Sequence, residues 1–305
     1  MKKIIPIFLL VVLVAASGCI KLFETKEPVA TAFAGGTDGL KMSFQDLPET
    51  VFTSTPFPIT VMVQNAGEAP VKANDSVFLL NNAEIFGLNS TKSEHIAKNN
   101  LNLASTKLVG GTVVAGGQDF ITWKTSNGKL PRFLGTVLTE QQTVPIAIDA
   151  CYPYVTTMTT NACIARSKKL CEPTGIKVIS VSGAPIQITE FKQVAQPSEN
   201  NNIIYSFTIK AGNMGKGKVY TKTASCPSPS TNDLDKVDVM SVKLGNKPQT
   251  VKCDNNNIIS LYESEGSMTC TLNISATSDF QDQLAIELGY KYKDRISKSI
   301  SVIPP

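Results

Sequence analysis

The sequence predicts an all-β protein made of two tandem antiparallel β-sandwiches behind an N-terminal leader. Three observations predict it. Short runs rich in Val, Ile, Phe, Tyr and Thr alternate apolar with polar residues, as in "LKMSF" (40–44), "IQITEF" (186–191) and "SMTCTLNI" (267–274), which is the pattern of half-buried strands. Gly, Pro and Asn punctuate these runs at short intervals, as turns between strands require. The whole pattern then occurs a second time, so the repeat is read before the elements.

The leader comes first in the chain. Lys2 and Lys3 form a short positive start. Ile4 to Ala16 is an apolar run too short for a transmembrane helix of roughly 20 residues and suited to the core of an export signal. Residues 1–18 therefore read as a signal peptide. "ASGC" (16–19) resembles the lipobox of secreted lipoproteins, although Ala16 stands where Leu is commoner. That resemblance implies that Cys19 is lipidated on its sulfur and becomes the first residue of the mature chain. Ordinary cleavage with Cys19 left as a spare thiol, or a retained N-terminal membrane anchor, are the alternatives. Cysteine arithmetic favours lipidation: of seven cysteines, removing Cys19 leaves an even number, as an oxidised exterior requires. One such anchor ties a chain to a membrane without spanning it. Residues 19–39, with Pro28 and "AGGTDG", read as a tether.

The strands follow. "PITVMVQNAGEAPV" (58–71) and "IYSFTIKAGNMGKGKV" (204–219) each run an alternating strand into N-x-G-x-x-x-V, through Asn65, Gly67 and Val71 and through Asn213, Gly215 and Val219. Asn and Gly tolerate positive φ, so the spacing predicts a tight turn that returns the chain as the next strand. "PIAIDACYPY" (145–154) and "QLAIELGYKY" (283–292) share apolar-Ala-Ile-acid-x-x-Tyr-x-Tyr, with Tyr152 and Tyr154 answering Tyr290 and Tyr292. The landmarks keep their order and similar separation, which predicts one domain type used twice, at residues 40–170 and 171–305. Further strands are read in 76–88, 120–123 and 237–245, giving about seven per copy, the number of a sandwich. The chain closes in what reads as a hairpin turning near Lys293 and Asp294. Residues 93–108 form the one insert with weak helical amphipathicity and read as helix or loop; His95 lies within it, exposed. The tyrosines either cover the core or form an exposed aromatic patch.

The strand ending in N-x-G, the Gly-rich turn and the Tyr-x-Tyr motif resemble immunoglobulin-like modules of the CARDB type, found in bacterial and archaeal surface proteins, and the arrangement resembles two-domain exported lipoproteins of archaea. The resemblance spans residues 38 to 305 and rests on short motifs. It implies two immunoglobulin-like sandwiches on the cell exterior, with function carried by loops and strand edges.

The remaining cysteines read as disulfides. A hairpin turning about Thr157 pairs Cys151 with Cys163; Cys253 and Cys270 flank a loop-strand-turn segment and pair likewise; Cys171 and Cys226 are left to each other. Fifteen connectivities are open to six cysteines. No C-x-x-C occurs, so zinc is not expected. There is no G-x-S-x-G, H-E-x-x-H, P-loop or EF-hand motif, and a single His, His95, leaves little for triad chemistry. No cofactor and no catalysis are expected. Asp233, Asp235 and Asp238 read as a solvated loop rather than a calcium site, and Asn74, Asn89 and Asn273 begin glycosylation sequons. A net charge of +4, half of it from Lys2 and Lys3, is no footprint for nucleic acid. The expected protein is a non-catalytic lipoprotein of the cell surface whose partners are the membrane and an unknown surface protein or glycan. A structural subunit of a larger surface complex, such as an S-layer or filament, is the alternative.

Overall fold

The computed structural model describes residues 33–98, 101–136 and 139–304. Residues 1–18, Cys19 and most of the expected tether lie outside them. The described residues belong to one compact unit, Ala32–Pro305.

The first repeat supplies β1 (Leu40–Gln45), β2 (Thr50–Phe52), β3 (Thr60–Asn65), β4 (Val77–Leu80) and β5 (Ile96–Lys98). It continues with β6 (Lys107–Val109), β7 (Thr112–Val114), β8 (Gln118–Thr122) and the long β9 (Gln142–Ile164). The second repeat supplies β10 (Thr174–Ile176), β11 (Ile179–Val181), β12 (Ile186–Pro197), β13 (Asn202–Asn213) and β14 (Lys218–Thr221). Then come β15 (Lys236–Leu244), β16 (Lys247–Pro248), β17 (Lys252–Cys253), β18 (Ile258–Ser260), β19 (Glu265–Ser275) and the long β20 (Phe280–Ile303). The chain is all-β, its strand pairs antiparallel except β2 with β20, and among the described residues the helical turns are short 3-10 segments.

The two long strands, of 23 and 24 residues, form the frame. They pair antiparallel without a register shift from Phe280 opposite Ile164 to Val302 opposite Gln142. Lys291 lies opposite Pro153, flanked by Tyr290 opposite Tyr154 and Tyr292 opposite Tyr152. Because the repeat equates Tyr152 with Tyr290 and Tyr154 with Tyr292, this register relates the copies by an approximate two-fold axis at the Pro153–Lys291 pair. Each long strand therefore serves both halves. The first half of β9 carries β4 and its second half carries β11. The first half of β20 carries β15 and β14, and its far end carries β2.

Two smaller sheets, β1-β3-β8 and β10-β12-β13-β19-β17, complete the fold. Their apolar residues include Val61 and Val63 of β3 and Tyr205, Phe207 and Ile209 of β13. These join Ile146 and Ile148 of β9 and Leu284, Ile286 and Leu288 of β20 in one core.

Where the sequence predicts hairpins near Thr157 and near Lys293–Asp294, the chain runs straight. Val155 to Thr160 holds no Gly, Pro or Asn and is mostly β-branched, which favours extended backbone. Lys293 and Asp294 simply pair with Cys151 and Ala150. Cys151 and Cys163 therefore sit on one strand about 40 Å apart, beyond disulfide reach. Cys151 bonds Cys226 and Cys163 bonds Cys171, in place of the expected Cys151–Cys163 and Cys171–Cys226 pairs. Cys253 bonds Cys270 across adjacent strands, as the sequence predicts.

The 93–108 insert contains no α-helix among its described residues. Ile96–Lys98 is strand, and Leu101 and Leu103 are both buried around exposed Asn102, a period of two rather than of a helix. At the end of the expected tether the backbone is docked: Ala34 and Gly35 donate to the Glu68 carboxylate, and the Gly36 carbonyl accepts from Ala184 N–H.

Candidate functional site

At the two-fold axis, Tyr152, Tyr154, Tyr290 and Tyr292 form a ring of side chains with centroid separations of 5.8 to 6.4 Å. All four are buried, so they are core and not the exposed aromatic patch. Their hydroxyls perform the same task in each repeat. Tyr154 Oη donates to Asn65 Oδ1 at 3.0 Å and accepts from Ala69 N–H at 3.4 Å. Tyr292 Oη donates to Asn213 Oδ1 at 3.2 Å and accepts from Gly217 N–H at 2.7 Å. Tyr152 accepts from Leu40 N–H and Tyr290 from Ile186 N–H, at the starts of β1 and β12. Burial is the main cause that pushes these phenols above their ordinary range, Tyr292 to about 12.

The Asn-x-Gly turns differ from the expected hairpin. None of Asn65, Gly67, Asn213 and Gly215 has positive φ. Gly is required because a Cβ at Gly67 or Gly215 would collide with the hydroxyl of Tyr154 or Tyr292. The Asn side chains instead hold the chain onward, donating to the Ala69 and Gly217 carbonyls. After Asn213 the chain crosses to pair with β20 as β14.

Beside this ring lies a cleft of about 860 Å³. Its walls are β1, the 214–218 turn and Lys293 to Ile296 of β20. Among the described residues, five cations line it: Lys41, Lys216, Lys218, Lys293 and Arg295. Three carboxylates oppose them: Asp38, Asp149 and Asp294. Met42, Met62 and Met214 add a soft apolar lining that adapts to irregular shapes.

Asp149 and Arg295 are direct cross-strand partners. Arg295 donates to both Asp149 oxygens, the Nη2 bond measuring 2.9 Å, and Lys293 Nζ lies 3.2 Å away. Burial pulls the Asp149 carboxyl upward, but the Arg295 hydrogen bond and the Lys293 charge outweigh it and hold the group below its usual range. Asp294 goes the other way: burial raises it, despite its bond from Arg295 N–H and the nearby Lys216 charge. Five cations against three carboxylates leave the cleft lining net positive, with Asp149 buried and Asp294 half-buried within it.

The other sequence-read residues lie elsewhere. Asn74, Asn89 and Asn273 are exposed. Asp238 accepts from Lys222 N–H, and among the described residues no three His, Cys, Asp or Glu side chains are grouped to hold a metal. His95 is partly buried rather than exposed; its carbonyl accepts from Leu80 N–H and from Trp123 Nε1. Sequence reasoning did not single out Asp149, Asp294 and Arg295 as site residues: Asp149 was legible only as the acid of the repeated motif, and Asp294 and Arg295 lie among other charged residues of 291–298, with nothing local to show that the two strands pair them. No protein-family model and no curated protein matches the chain.

Proposed function

We propose that the protein is a non-catalytic binding module of the cell exterior, a pair of immunoglobulin-like domains of the CARDB type held to the membrane by lipid on Cys19. The observation that carries the reading is the open, net-positive cleft beside a rigid frame. Three disulfides fit an oxidising compartment, and among the described residues no helix is long and apolar enough to cross a membrane. The wall formed by Lys293 to Ile296 lies on β20 and is held by the β9 ladder, which lowers the ordering cost of binding there. Intact mass of the native protein, with and without reductant and beside Cys19→Ser, tests the placement. A chain starting at Cys19 with added lipid mass and no free thiol is expected. Retention of residues 1–18, or free thiols among the six paired cysteines, contradicts it.

A further inference from the structure

One of the differences between the two halves exposes a strand edge. In the second half, β11 lies along β9, Ile179 opposite Thr160 and Val181 opposite Met158, and Ser182 N–H donates to the Thr157 carbonyl. The two-fold axis equates that stretch of β9 with Ile296–Lys298 of β20. Counting back from β1 as β11 precedes β12, its counterpart is Phe33–Gly35. Those residues turn away instead: Gly35 and Gly36 take positive φ, and Ala34 and Gly35 bond Glu68. Glycines stand where the second half has Val181 and Ser182, so extended backbone is lost.

Among the described residues no strand pairs with the outer edge of β20 between Lys293, where β14 ends, and Ser301, where β2 begins. Ser301 N–H donates outward to the Glu49 carbonyl, and the Ile303 carbonyl accepts from Thr53. Since peptide groups alternate sides along a strand, Ser297 and Ser299 direct theirs to the same open edge. Arg295 N–H, one step back, is capped by the Asp294 carboxylate.

We propose that this edge receives an extended acidic segment of a partner protein, added antiparallel to β20 in the position that β11 fills in the other half. The inference rests on the binding reading above. Strand addition supplies main-chain hydrogen bonds for affinity and side-chain sites for specificity. Ile179 and Val181, partly buried against the core, show the apolar alternation that fits. The net-positive cleft beside the edge supplies the preference for acid. A second copy of this chain is disfavoured because it would set Arg295 and Lys298 of two edges against each other, the charge arrangement that keeps edges apart.

The test titrates fluorescent peptide DEVISVDE, the β11 core between acidic ends, into the full-length protein, alongside a version with Lys for each acid and one with a central Pro. Amide exchange at Ser297 and Ser299 is followed in parallel. Saturable binding of the acidic peptide is expected, with new protection at both amides and at least about tenfold weaker binding of both controls. Ser297→Pro removes an outward N–H without touching the β9 ladder and should weaken binding about tenfold; Lys216→Glu with Lys218→Glu should weaken it while leaving the edge intact. No saturable binding, equal binding of the controls, or amides already protected in the protein alone, by its own N-terminal segment or a second copy, overturns the proposal. Such a failure leaves the mass measurement on Cys19 unaffected, so it is distinguishable from failure of the surface reading.

Discussion

At the residue scale the two Asn–Tyr clamps join the repeat motif to the core. Tyr154→Phe leaves Asn65 Oδ1 and Ala69 N–H without the hydroxyl that each bonds, so it should cost about 1–3 kcal/mol, read from urea unfolding; Tyr292→Phe should cost a similar amount for the same reason. Asp149 gives a pH-dependent effect of defined sign. Its folded carboxyl lies below the unfolded value of about 3.9, so its contribution is present above that pH and is lost as pH falls through the folded value. Asp149→Asn should therefore lower the urea midpoint at pH 7, and the gap to the parent protein should narrow as the pH is taken progressively below about 3.9. The repeated Asn, Gly and Tyr positions were legible in the sequence as a motif. Their role was not, because a glycine demanded by a distant hydroxyl looks the same in one dimension as a glycine demanded by positive φ.

At the element scale, alternation located the strands well, from "LKMSF" at β1 to "SMTCTLNI" within β19. It could not say whether a strand stops. Thr157 and the Lys293–Asp294 pair are compatible with a turn or with extended chain, and the choice is made by the partner strand from the other repeat. The same long-range pairing decided the partner of Cys151: local proximity identified Cys253–Cys270, whose strands are neighbours, but with β9 running straight Cys151 bonds distant Cys226 and leaves Cys163 to nearby Cys171. The bonds should also differ in worth. Closing the 75-residue separation of Cys151–Cys226 is worth about 4.5 kcal/mol by chain entropy, against about 2.5 for the 8-residue Cys163–Cys171. Paired Cys→Ala substitutions compared by urea unfolding should show the larger loss for the first pair.

At the scale of the whole molecule, β9 and β20 cross-brace the repeats: each half keeps a smaller sheet of its own, but the large sheet takes strands from both. One cooperative transition is expected. Fluorescence of Trp123, in the first repeat, and amide exchange at Tyr205 and Ile209, in the second, should give coincident denaturation midpoints; separated midpoints would mean independent halves. The central claim, that each long strand runs straight through both halves, is tested most directly by mapping the disulfides of the native protein under non-reducing digestion. Peptides joining Cys151 to Cys226 and Cys163 to Cys171 are predicted. A peptide joining Cys151 to Cys163 would contradict it, because those residues meet only if β9 folds back on itself.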